Sequence, residues 1–264
     1  MPVTVAARRD YMQGLVRLSL WFVRKLVREG MDFAEAVNAK VDVYRNTTFC
    51  DSEHHVAKAP PGWRDEAWER MLERLRDLYD RHDGDADTSA LEAEGYALLE
   101  PYVEPCLRRS AGRWPRSEDR PYGFFQPDVR QVEGRPQFLM HMGNPFAPQS
   151  PFADMRARAD ELARMVRDVT AEQPALTHLR TASWLNSFPP FLTLFPDSWH
   201  AGRSDPVRLG YGGGWWGQFV DRRGAFHVKN GDYLRRTGEF PYPAVDCTCP
   251  TDELLRHLAD KFGV

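Results

Sequence analysis

QFLMHMGNPFAPQSPFADMRARADELARMVRDVTAEQPALTHLRTASWL, residues 137–185, is the stretch that decides the fold class. Gln137 to Met142 is an apolar run too short for a helix but long enough for a strand, and Glu133-Gly134 supplies a turn before it. Gly143 to Ser150 holds two prolines and reads as a loop. Ser150 is a good N-cap with Pro151 at the first helical position, and Phe152, Met155, Ala159, Leu162, Val166 and Val169 then keep helical spacing. Pro174 stops that helix, and His178 to Leu185 reads as a second buried strand. Strand, loop, helix and strand in this order predict an α+β chain whose sheet is mixed and carries helices.

Working outward, Tyr122 to Gln126 reads as extended. Gly112 to Pro121 is rich in Arg and Pro and reads as a linker over 112–121, dividing a helical region, 1–111, from an α/β region, 122–264. The helical region is expected to pack on the sheet as one integrated unit. Tyr11, Leu15, Leu18, Phe22 and Leu26 keep helical spacing over 8–29, and Asp32 with Glu35 forms a capping box for a helix running toward Tyr44. Ala59-Pro60-Pro61-Gly62 is a loop, and a third helix is expected from about Arg64 to Tyr79. Thr88 or Ser89 caps a fourth, which Pro101 and Pro105 should bend or end. The acidic run Asp83 to Asp87 reads as a turn, since no acidic ligand follows at the spacing of a calcium loop. Downstream, Gly210 to Val220 leads through a turn at Asp221–Gly224 to Ala225–Val228 as a hairpin. A short helix near Asp232–Arg236 is closed by Gly238, and Thr251 caps a terminal helix.

Composition narrows the function classes. The 264 residues are 42% hydrophobic and 28% charged with a net charge of −3, which suits a globular enzyme more than a nucleic-acid binder. The only lysines are Lys25, Lys40, Lys58, Lys229 and Lys261, so the arginine excess reads as the codon bias of a GC-rich genome. Leu15 to Val27 is apolar, but Arg17, Arg24 and Lys25 interrupt it, and no membrane span or secretory signal is expected. With four cysteines and no zinc or redox spacing, Cys247-Thr-Cys249 reads as ordinary thiols in a loop of a cytoplasmic protein.

Three places have the residue types that acid–base chemistry needs. His141 and Asn144 flank a strand-to-helix junction, where loop amides favour anions and an imidazole titrates near neutrality. Trp184 and Asn186 sit at the next strand end, where the Asn186 amide could orient a substrate carbonyl. Trp215, Trp216 and Gln218 lead to Asp221, which with His227 could form a carboxylate–imidazole pair. Asp51, Glu53, His54 and His55 form a weaker, metal-binding candidate. No motif specifies a cofactor.

From about Tyr122 the chain resembles a group of uncharacterised actinobacterial proteins at Ser183-Trp-Leu-Asn186, Leu194-Phe-Pro196 and Trp216-Gly-Gln-Phe-Val-Asp221. That resemblance implies a family but no activity. The order of strand, long helix, strand, Asn186 and aromatic segment is also similar to the second half of GNAT-type acyltransferases. This likeness implies an acyl-CoA pyrophosphate held on the amides of the Gly143–Gln149 loop, although the family's Arg/Gln-x-x-Gly-x-Gly/Ala pattern is missing there. The leading expectation is an enzyme acting on a small molecule, such as a biosynthetic tailoring enzyme, with His141 or His227 transferring a proton. The alternatives are a GNAT-like transferase, a ligand-binding or regulatory protein using its amphipathic N-terminal helices, and a metalloenzyme at Asp51–His55. Homo-oligomerisation stays open.

Overall fold

Apolar residues recurring along Val5–Arg28 build the first helix, α1, whose Thr4 side chain accepts from Ala7 N. In this computed structural model, which describes residues 4–50, 56–58, 65–110, 120–132, 134–205 and 210–264, the remaining elements follow in order. They are α2 (Phe33–Lys40), α3 (Glu66–Arg81), α4 (Ser89–Ser110), β1 (Phe125–Val132), β2 (Arg135–Met142), α5 (Met155–Glu172), β3 (His178–Ser183), α6 (Pro189–Leu192), α7 (Asp197–Ala201), α8 (Gly213–Trp216), α9 (Val228–Thr237), β4 (Val245–Pro250) and α10 (Thr251–Phe262). The fold class is α+β. No helix among the described residues is long and apolar enough to cross a membrane.

The chain divides into two compact units, Val3–Arg113 with Arg208–Pro241, and Trp114–Val207 with Tyr242–Val264. The first is helical. Asp32 caps α2 by accepting from Glu35 N, and Asp65 caps α3 by accepting from Trp68 N. Pro101 and Pro105 do not end α4, which runs through both to Ser110. Leu91, Tyr96, Leu99, Val103 and Leu107 are all buried along it, and this continuous apolar stripe outweighs the helix bonds the prolines remove. Gly95 permits the close approach of α1, because a Cβ there would fall under 3.0 Å from Leu20. The acidic turn after α3 is tied from inside: Arg24 Nη2 donates to the carbonyls of His82 (2.9 Å), Asp83 (3.1 Å) and Asp85 (2.5 Å).

Residues 208–241, read from sequence as part of the α/β region, belong to this helical unit. The expected hairpin there reduces to a single bridge, Val220–Phe226, because α8 and a following turn of 3-10 helix take up Gly213–Phe219. α9 is longer than expected and closes on Gly238, whose φ of 75° suits glycine.

The second unit is built on a four-stranded sheet of order β1-β2-β3-β4. β1 and β2 form an antiparallel hairpin from Phe125↔Met142 to Val132↔Arg135. β2 and β3 run parallel, paired at Phe138↔Leu179 and Leu139↔Arg180 and connected through α5. β3 and β4 are antiparallel. Alternation then separates two faces. Phe125, Phe138, Met140, Leu179, Cys247 and Cys249 are buried in one core with Leu162 and Val166 of α5 and Leu254 and Leu258 of α10. Gln126, Asp128, Arg130, Gln137, His141, His178, Arg180 and Thr248 line the opposite, more polar face.

Several local expectations change here. Tyr122–Phe124 is a turn that precedes β1. Ser150 caps only a short 3-10 turn, Pro151–Ala153, and α5 starts at Met155 with Asp154 accepting from Ala157 N. Cys247 and Cys249 lie in a buried strand, not a loop. Thr251 is the first residue of α10, and its hydroxyl donates to Thr177 O instead of capping.

Candidate functional site

The polar face of the sheet positions the best-placed chemistry. Gln126 pairs with His141 across the β1–β2 hairpin, and Asp128 lies two residues along β1 on the same face. His141 Nε2 is 2.7 Å from Asp128 Oδ2. Arg130, two residues further on that face, pairs with the same carboxylate oxygen. The Arg130 guanidinium, and after it His141, holds the Asp128 carboxyl below the usual carboxylate range. An ionised Asp128 must accept, so Nε2 of His141 carries the proton in this pair. Nδ1 of His141 has no hydrogen-bond partner among the described residues, and the side chain is 52% exposed.

On the same face, at the start of β3, a cleft of about 380 Å³ is lined by residues including Pro136, Gln137, Leu176, His178, Arg180 and Asp246. Arg180 Nε lies 3.0 and 3.1 Å from the two oxygens of Asp246, and Nη2 lies 2.5 Å from Oδ2. That volume is at the small end of metabolite-binding pockets.

The other expected site residues are spent on structure. Asn144 closes its own loop, accepting from Phe146 N and donating to Gln149 O. Neighbouring amides are also engaged: Gly143 N bonds Phe124 O, Gln149 N bonds Phe146 O, and Phe152 N bonds Ser150 Oγ. The Asp154 carboxylate then occupies the N-terminus of α5. A loop so satisfied has few donors left for a pyrophosphate. Asn186 is fully buried in a 3-10 turn after β3, donating to Thr181 O and Val245 O and accepting from Trp199 Nε1. Trp184 packs on Phe188 and Tyr242.

His141, Asn144, Trp184 and Asn186 lie in the sheet unit, whereas Trp215, Trp216, Gln218, Asp221 and His227 lie in the helical unit. Asp221 and His227 are not hydrogen-bonded to each other. Asp221 Oδ1 accepts from Arg223 N and Ala225 N, stabilising its own turn, and His227 Nδ1 accepts from Asn230 N at the start of α9. Trp216 is a core residue, packed edge-on to Phe22 and Phe240, with its indole donating to Lys40 O. Trp215 packs on Phe240, and the buried Gln218 donates to Trp215 O. Asp51, Glu53, His54 and His55 lie outside the described residues, as do Ala59–Gly62 and most of the linker. Among the described residues no group of His, Cys, Asp and Glu is arranged to hold a metal ion.

One titratable group escapes the sequence reading. Asp42 Oδ1 is buried without a hydrogen-bond partner among the described residues. Burial pushes this carboxyl up to about 7, against the opposing influence of Arg45, Asn46 and Arg8. A signal was present: Asp42 interrupts the apolar run Val41, Val43 and Tyr44, all of which are buried. No protein-family model matches the chain, and neither a curated protein nor a solved structure is significantly similar to it.

Proposed function

We propose that the sheet unit is a small-molecule enzyme in which His141, held by Asp128, transfers a proton. The observation that carries this reading is the 2.7 Å His141–Asp128 pair on the polar face of the sheet. A carboxylate bound to one ring nitrogen fixes the tautomer, and it steadies the imidazolium formed when the other nitrogen takes up a proton. Here Asp128 binds Nε2, so Nδ1 is the basic atom. Arg130 keeps Asp128 ionised, so the carboxylate orients the ring without competing for its proton. The exposure of His141 suits a substrate that is small and polar and arrives from solvent.

The test is consumption of small polar metabolites from a cell extract by the purified chain, followed by mass spectrometry. Wild type should deplete one or a few compounds, and His141→Gln should not, while its unfolding free energy moves by less than about 0.5 kcal/mol. Equal depletion by both proteins, or none by either, would overturn the assignment.

A further inference from the structure

The geometry points to the Arg180 cleft as a binding site for a small organic monocarboxylate with a short apolar body. The case starts from which hydrogen-bonding groups are already used. Asp246 is 9% exposed at its side chain, and both its oxygens are turned on Arg180. Thr248 Oγ1 donates to Leu179 O. Ser204 exchanges backbone bonds with Asp246 through its own N–H and C=O. As acceptors, the cleft's one carboxylate among the described residues and the Ser204 and Asp246 carbonyls are therefore committed.

Its donors are not. Arg180 spends Nε and Nη2 on Asp246, and Nη1 makes only a long contact of 3.5 Å to Gln137 Oε1. That contact places the Gln137 amide against the guanidinium, and Gln137 Nε2 has no hydrogen-bond partner among the described residues. His178 Nδ1 lies 3.0 Å from Thr177 Oγ1, and among the described residues neither His178 Nε2 nor the Ser204 hydroxyl, each able to donate, has a hydrogen-bond partner. With the carboxylate already paired, the Arg180 Nη1 and Gln137 Nε2 donors select a ligand that accepts.

Charge narrows the ligand further. Asp246 offsets Arg180, the one guanidinium that lines the cleft among the described residues, so the lining lacks the surplus positive charge that a phosphate dianion requires. A carboxylate, with two acceptor oxygens and one negative charge, matches a planar donor beside an amide. Pro136, Ala175 and Leu176 form an apolar wall on the same cleft, which suits a short hydrocarbon body. The inference stands apart from the proton-transfer reading, because it concerns binding and is tested without turnover.

The probe is butyrate, titrated into the ¹⁵N-labelled full chain, with 1-butanol and inorganic phosphate as controls. Butyrate should give saturable NMR shifts at Arg180 Nε–Hε, the Gln137 side-chain amide and the amides of residues 176–180. Butanol should give none, and phosphate should bind at least about fivefold more weakly. Gln137→Ala, an exchange near the sheet's end that leaves the ion pair intact, should weaken butyrate binding severalfold. Absence of saturable shifts up to about 50 mM butyrate overturns the proposal. So do shifts that phosphate or butanol reproduces, or shifts that the Gln137→Ala chain retains in full.

Discussion

Trp199 Nε1 donates to Asn186 Oδ1 at 3.3 Å, and both side chains are fully buried. The Asn186 amide meanwhile donates 2.8 Å to Thr181 O on β3 and 2.7 Å to Val245 O on β4. One side chain thus ties two strands to the helix that carries Trp199. Asn186→Ala would strand an indole N–H and two carbonyls in the core, at a cost of about 3 kcal/mol or more. Urea denaturation would read this directly. A variant of undiminished stability would mean that the amide is not holding the strands together.

A second anchor lies before β1. Gly123 has a φ of 54°, and a Cβ there would fall under 3.0 Å from the Glu161 carboxylate. That carboxylate accepts from Phe124 N at 3.0 Å and from Arg158 Nη2 at 2.6 Å. Gly123→Ala combines left-handed strain of about 1 kcal/mol with displacement of a buried ion pair, for a total of about 3 kcal/mol. Gly134 has a φ of 74° but nothing near its Cβ position, so Gly134→Ala should cost only the backbone strain. Thermal unfolding of the pair should rank Gly123→Ala well below Gly134→Ala; equal losses would refute the clash.

The thiols give a prediction about reactivity. Burial pushes Cys247 and Cys249 up to about 12, whereas Cys50 and Cys106 are partly exposed. The thiolate is the reacting form, so iodoacetamide at neutral pH should label Cys50 and Cys106 long before the strand pair. Peptide mass spectrometry after brief labelling of the native chain would check the order. Early labelling of Cys247 or Cys249 would contradict the buried strand.

How much of this was legible beforehand depends on how local each signal is. The helix from Met155 and the strands beside it are written in periodicity and punctuation, which any short window contains. β4 is not legible in a short window, because Val245–Pro250 is short and held by long-range pairing with β3, so Cys247-Thr-Cys249 looks like a loop. The return of 208–241 to the helical unit depends on tertiary burial of Trp216 and Phe219, which no local pattern records. His141 was identifiable as a basic group at a strand end, but its partner Asp128 becomes visible only once the hairpin register is known. Asn186 looked functional for the reason it is structural: a buried amide at a strand end must satisfy every one of its polar atoms.

Asp42 makes the strongest statement about pH. Unfolded, its carboxyl titrates near the ordinary value of about 3.9. Folded, burial raises it to about 7, outweighing Arg45, Asn46 and Arg8. Between those values the native chain keeps a proton that the unfolded chain has released. Stability contributed by this group is therefore complete below pH ~4, falls as pH rises toward 7 and levels off above it, for a loss of up to about 4 kcal/mol. Asp128, depressed by Arg130 and His141, acts oppositely and loses its contribution only as pH falls below the ordinary carboxylate range. The two groups therefore act in separate windows. Asp42→Asn keeps the shape and removes the charge, so it should match wild type near pH 4 and exceed it above pH 7. The quantity to measure is the difference in unfolding free energy between the two proteins at several pH values across that window. A difference that stays constant from about pH 4 to 8 would show that Asp42 does not hold its proton in the native state.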